Sequence, residues 1–160
     1  MNIFVESHQQ LLKSLLKHQV NFLLIGDYAV IYYGYKHTTG DMDLWFEPTN
    51  DNKLKLIPVL QEFGFDNEGI THISQLDFTQ HLAFHFWEEP ERVDCLTKIS
   101  NVAFDEAFSQ KIIADIEGIS VPIIQYKHLV MSKMTSGRLK DRADVEELQK
   151  IEKIRAANNK

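Results

Sequence analysis

One cysteine in 160 residues, Cys95, leaves no intramolecular disulfide to form and suits a reducing compartment. Flanked by Val93 and Leu96, it reads as a small core hydrophobe rather than a nucleophile. The seven glycines and four prolines gather into no linker, and no repeat or low-complexity tract interrupts the chain, which predicts a single domain over residues 1–160. No apolar run is long enough to span a bilayer. The first ten residues lack the basic start and apolar stretch of a signal peptide, so the expected location is cytoplasmic, with no membrane partner. Excess positive charge is also missing: 17 Lys and Arg stand against 23 Asp and Glu, a formal net charge of −6. That balance argues against a broad, sequence-independent grip on nucleic acid, although it leaves room for a local basic patch.

What is present is an ordinary globular composition, 44% hydrophobic and 25% charged, of a length that buries a core without staples. Leu11, Leu12, Leu15 and Leu16 share one helical face, predicting an amphipathic helix to about His18. Phe22 to Ile25 reads as a buried strand. Gly26 and Asp27 end it, with Gly26 allowing a tight turn and Asp27 placed to N-cap a short helix from Tyr28 to Tyr33. Asp41 to Glu47 predicts the next strand, and Pro48-Thr49-Asn50-Asp51 stops it and caps a helix reaching Phe63. Leu82 to Trp87 and Arg92 to Leu96 read as antiparallel strands joined by the polar turn Glu88-Glu89-Pro90-Glu91. Phe104 to Gln110 predicts a short helix and Lys111 to Glu117 a strand. Two helices, Tyr126 to Thr135 and Leu139 to about Ala156, follow on either side of Ser136-Gly137. This order predicts an α+β domain, with helices on a mixed sheet and a helical C-terminal end.

The chemistry gathers on aspartates. Asp41 and Asp43 are two apart in a strand, so both carboxylates project from one face into a small volume. If Asp94 joins them from a neighbouring strand, at least one of the three must resist ionisation unless cations neutralise the cluster. Hard oxygen donors of this kind suit Mg²⁺ or Mn²⁺, whose remaining ligands are water and phosphate oxygens, and the implied chemistry is phosphoryl or nucleotidyl transfer. His81 and His85 are not expected to share a metal, because four residues along a strand separate them by about 13 Å. Phe84, Phe86 and Trp87 read as sheet filling, since no basic residues are interleaved with them.

A hydrophobic strand ending in Gly26, a helix start, a loop, Asp41-Met42-Asp43 on the next strand and Asp94 on a later one resemble the nucleotidyltransferases related to DNA polymerase β. The run from Gly34 to Trp45, the segment Arg92 to Thr97 and the tail from Lys133 to Glu146 look like a bacterial subgroup of small nucleotidyltransferases. That tail also resembles abortive-infection toxins, which brings a toxin-antitoxin setting into view. The resemblance covers about Phe22 to Leu148. It implies a nucleotidyltransferase fold that moves a nucleoside monophosphate from a nucleoside triphosphate, ATP among the candidates, to a hydroxyl. Asp41, Asp43 and Asp94 would be the catalytic, metal-holding acids. Gly26, Asp27 and Thr39 would contact the nucleotide, and Lys133 and Arg138 would offset phosphate charge. The acceptor is left open among a protein, an RNA and a small molecule.

Two positions depart from that pattern. Asp27 stands where the family carries a second Gly or Ser, and His37 where arginine is common. A carboxylate at the helix start competes with phosphate for its N–H groups; two like charges ~4 Å apart repel by about 4 kcal/mol at an effective dielectric near 20. A rival reading is therefore a catalytically impaired nucleotide-binding, antitoxin or regulatory module of the same fold. A sugar-nucleotide glycosyltransferase using Asp-x-Asp fits less well, because it needs a larger domain.

Overall fold

A computed structural model describes residues 4–35, 41–134 and 137–158. The chain enters through α1 (Glu6–Lys17), β1 (Phe22–Ile25), α2 (Gly26–Tyr32), β2 (Met42–Phe46) and α3 (Asn50–Glu62). It continues through α4 (Asn67–Gln75), the hairpin β3 (Ala83–Phe86) and β4 (Val93–Leu96), α5 (Phe104–Ser109), and the hairpin β5 (Ile112–Ile116) and β6 (Ile119–Ile123). It ends in α6 (Tyr126–Met134) and α7 (Leu139–Asn158). Among the described residues six strands form one mixed sheet in the order β3-β4-β2-β1-β6-β5, and the fold is α+β as expected. Among the described residues no helix is long and apolar enough to cross a membrane.

The central strand β1 consists of Phe22, Leu23, Leu24 and Ile25, all buried, so both faces of the sheet are covered there. It runs antiparallel to β2 and parallel to β6. On one face Phe46 meets Phe78 and stacks on Phe84; on the other Trp45 packs edge-on against Phe104 of α5 at 5.2 Å between ring centroids. Phe84 and Phe86 fill the sheet and the neighbouring packing, as their lack of basic neighbours implied. Cys95 is wholly buried, and burial pushes its thiol well above the ordinary range, which keeps it inert.

Local signals placed most elements. Thr49 caps α3 by accepting from the Asn52 N–H at 3.2 Å. The β3–β4 pair is antiparallel, as the polar turn predicted. Two elements are additions to the sequence reading. Helix α4 buries only Ile73, so it carries little periodic signal; its marker is the Asp66 cap, which accepts from the Gly69 N–H at 2.8 Å. Strand β6 contains Pro122, which obscures it, yet Glu117 and Gly118 turn β5 into β6 with φ of 55° and 81°.

Helices α1 and α3 are joined at Glu62, whose carboxylate accepts from Ser14 at 2.6 Å and pairs with Lys17 at 2.8 Å and His18 at 2.6 Å. The Lys17 hydrogen bond first, then those of Ser14 and His18, pull its carboxyl from 4.5 to about 2. Because the folded value lies below the unfolded one, the stability this contact contributes is present above pH 4.5 and is lost as pH falls towards 2. Glu62→Gln should therefore lower the melting temperature at pH 7 and leave it nearly unchanged at pH 2. Equal losses at both pH values would show that charge plays no part in the contact.

Candidate active site

Residues from four parts of the chain converge at one end of the sheet. Strand β2 runs parallel to β4 with Asp43 in register with Asp94, and antiparallel to β1 with Asp43 opposite Ile25. Register partners point to the same face, so Asp43 and Asp94 stand side by side and Asp41 precedes them on the chain's approach. The parallel alignment is allowed by the long connection through α3, α4 and β3 that carries the chain back before β4 begins. Burial pushes the Asp43 carboxyl up from 3.8 to about 7, with further contributions from Asp94, Asp27 and Asp41 and an opposing one from Lys133. Arg92 meets Asp94 at 3.0 Å, and a hydrogen bond to Asp41 raises the carboxyl of Glu89 on the β3–β4 turn.

Gly26 closes the other side of the cluster. It begins α2 at φ +69°, and a Cβ built on it would lie 2.8 Å from Asp43 Cγ, so only glycine lets the helix start lie against this carboxylate. Gly26→Ala should cost roughly 1–3 kcal/mol through backbone strain alone and displace Asp43 as well. Thermal melts and nucleotide titration check this; a variant that melts and binds as wild type would show that the close approach is unimportant.

Asp27 does not cap α2. The helix begins two residues earlier than the sequence suggested, with Ile25 at the N-cap and no capping side chain, so Asp27 falls within the first turn. Its carboxylate instead meets Lys140 of α7 at 2.6 Å, across 113 positions of sequence. Favourable interaction with the helix start and a cation from another helix together outweigh the local cap. Lys133, half of the predicted phosphate-neutralising pair, is buried and donates to Asp141 and Asp144, each at 3.0 Å. Arg138 pairs with Asp141 at 3.2 Å. Thr39 and His37 lie outside the described residues.

A cavity of about 550 Å³ opens over this arrangement, walled by Gly26, Asp43, His81, Lys98, Ser132, Lys133, Arg138 and Asp141. Thus Gly26, Asp43, Lys133 and Arg138, named from sequence, do share one cleft. Sequence reasoning missed Glu89, Arg92, Lys98 and Lys140. Arg92 and Asp94 at i and i+2 offered a signal for one of these contacts; the others depend on distant chain crossings. His81 lines the cleft whereas His85 pairs with Glu88 at 3.5 Å, so the two do not act together.

Among the described residues, no three His, Cys, Asp or Glu side chains are already drawn together closely enough to hold a metal ion. The donor set nonetheless fits a hard divalent cation: Asp43 is made reluctant to ionise by burial and by Asp94 and Asp41, and positive charge relieves that penalty.

The fold is that of the nucleotidyltransferases. It is shared with the lincosamide antibiotic adenylyltransferase LnuA in its lincomycin-bound crystal structure, which is 16% identical, with 94% of this chain and 99% of that one covered at a TM-score of 0.56. ANT(2'')-Ia in complex with adenylyl-2''-tobramycin is 13% identical, with 94% of each chain covered and a TM-score of 0.53. A candidate nucleotidyltransferase of Thermotoga maritima, TM1012, is 10% identical over 99% of this chain and 97% of its own, also at 0.53. The chain itself belongs to the family described as nucleotidyl transferase of unknown function (DUF2204), whose model matches residues 5–159. No curated protein matches it.

Proposed function

We propose that the protein transfers a nucleoside monophosphate from a nucleoside triphosphate to a hydroxyl of an acceptor, with Asp41, Asp43 and Asp94 holding Mg²⁺ or Mn²⁺. The observation that carries this reading is the pairing of Asp43 with Asp94 across parallel strands, with Gly26 pressed against Asp43 at the floor of a cleft. A divalent ion bound there would neutralise phosphate charge and lower the pKa of the attacking hydroxyl.

The chain's own residues account for the rest. Gly26 brings the first N–H groups of α2 towards the phosphates, and Lys133 and Arg138 line the same cleft, where they offset charge as pyrophosphate departs. Asp94, with 30% of its side chain exposed and Arg92 on one oxygen, takes the hydroxyl proton as the acceptor oxygen bonds to the α-phosphorus and the bond to the β-phosphate breaks. LnuA and ANT(2'')-Ia carry antibiotic ligands in their structures, which makes a small hydroxylated molecule the first acceptor class to test.

A second reading, nucleotide binding without transfer, is favoured by one feature: Lys133, Arg138 and Lys140 are each already engaged by an aspartate. Incubation with each α-labelled triphosphate, Mg²⁺ or Mn²⁺ and host lysate, with and without added aminoglycoside or lincosamide, separates the two. Transfer predicts a labelled product and released pyrophosphate, both lost in Asp94→Asn. Nucleotide binding with no label under any condition would leave the binding module as the function.

A further inference from the structure

Strand β5 is the outermost strand on one side of the sheet, so one of its two backbone edges has no neighbouring strand among the described residues. Its hairpin fixes which groups that edge presents. Ile116 and Ile119 close the two-residue turn at Glu117 and Gly118, both at positive φ, and so exchange backbone hydrogen bonds. Bonding then alternates along the strand: Ala114 and Ile112 bond to β6, while Ile113 and Asp115 turn their N–H and C=O groups outward. Natural edges are commonly blunted by proline, a bulge or an inward-pointing charge, yet β5 keeps a regular ladder with Ile113 57% and Ile112 37% exposed. Ile113 stands between Lys111 and Asp115, two positions away on either side and so on its own face. Lys111 and Ile113 indeed line one shallow groove with Leu16 and Pro122. Neither charge has an ion-pair partner among the described residues: the Lys111 ammonium rests on the ring and carbonyl of Phe108, and Asp115 accepts from the Gly118 N–H.

We propose that this edge pairs with the same edge of a second copy of the chain, antiparallel about a two-fold axis at Ile113, so that the sheet runs on from one protomer into the other. Outward-facing backbone groups must meet outward-facing groups, which leaves the axis few positions, and the side chains choose among them. With the axis at Ile113, the two Ile113 side chains lie side by side, and Lys111 of each copy faces Asp115 of the other. An opposite-charge pair thus flanks the apolar contact on both sides. On the reverse face Ile112 of each copy meets Ala114 of the other at a non-hydrogen-bonded pair, about 4.5 Å between Cα atoms, where the small side chain makes room for the large one. An axis at Ala114 would set Ile113 against Asp115, one at Ile112 would set Lys111 against Ile113, and one at Asp115 would bring two carboxylates together. Only the Ile113 axis satisfies the apolar and the charged residues at once, and the contact it makes is self-complementary and closed. No residue of β5 lines the candidate active-site cleft, so both clefts stay open in the pair, and the proposal stands apart from the transfer reading.

Sedimentation of the full chain over a series of concentrations reads the pairing, and amide hydrogen exchange places it. Wild type should approach twice the single-chain mass as concentration rises, and the Ile113 and Asp115 amides should exchange more slowly at high concentration than at low. Lys111→Glu sets a carboxylate against Asp115 at both charge pairs, and Asp115→Lys sets an ammonium against Lys111 at both. Each variant alone should therefore need about tenfold or more higher concentration to pair. An equimolar mixture of the two should recover the wild-type behaviour, because the two altered charges then face each other and the second pair is native. Recovery on mixing also excludes a folding defect as the cause of the loss. A single-chain mass for wild type at every concentration would overturn the proposal and leave the edge to a strand of another protein. Growth beyond two chains would overturn it too, since β5 would then be meeting β3, the other outermost strand, in an open series. A doubled mass with both amides unprotected would place the contact elsewhere, and a mixture that pairs no better than its components would refute the register; either result overturns it.

Discussion

Asp43→Asn is expected to abolish transfer and, above neutral pH, to make the protein more stable. Burial and the surrounding acids hold the Asp43 carboxyl near 7 instead of 3.8. Between those values the folded chain keeps a proton that the unfolded chain releases, so wild-type stability falls as pH rises through this window and stays lower above it. The deficit at pH 8 is up to about 4 kcal/mol, and asparagine, which carries no charge, removes it. Melting temperatures of wild type and variant should therefore be close at pH 4 and diverge towards pH 8, with the variant higher. Mg²⁺ with a triphosphate should raise the wild-type value by mass action and leave that of the variant unmoved. Parallel pH profiles would mean that the carboxylate is not under electrostatic pressure, and a ligand-induced shift in the variant would remove Asp43 from the binding site.

Asp27→Ser is expected to act in the opposite sense on function. The wild-type carboxylate adds negative charge to the Asp43 cluster and occupies Lys140, so the substitution removes a competitor of phosphate and releases a cation at once. Triphosphate binding should tighten by ~1 to 3 kcal/mol after screening, roughly one to two decades in affinity, and transfer should rise with it. The stability lost with the ion pair is small, about 0–1 kcal/mol, because Lys140 is half exposed. Since Asp27 makes no capping hydrogen bond, Asp27→Ala should cost no more than Asp27→Ser does. Calorimetric titration with a non-hydrolysable triphosphate at low and moderate salt decides it. Unchanged or weaker binding in Asp27→Ser would show that the Asp27–Lys140 pair supports the nucleotide site instead of obstructing it.

These two aspartates mark what could and could not be read before folding. The order of elements, the same-face placement of the acids on β2, the Thr49 cap and the β3–β4 hairpin follow from short-range rules: alternation every two residues, periodicity every 3.6, and side chains that bond to their own backbone a few positions away. The sequence by itself therefore determined that a Gly-ended strand, a helix start and an acidic strand stand in the order a nucleotidyltransferase needs. It also determined, through its negative balance, that positive charge near a phosphate would have to come from a few particular residues. Only the tertiary structure decided which ones are engaged and by what. The register of Asp43 with Asp94 depends on strand order in the sheet, and the partners of Lys133 depend on how α7 packs against α6. Asp27 shows the reason most plainly. Its local chemistry favours a cap, but α2 starts ahead of it, so the carboxylate has no helix end to cap and pairs at 2.6 Å with a cation brought from 113 residues away, a contact that no local rule could show.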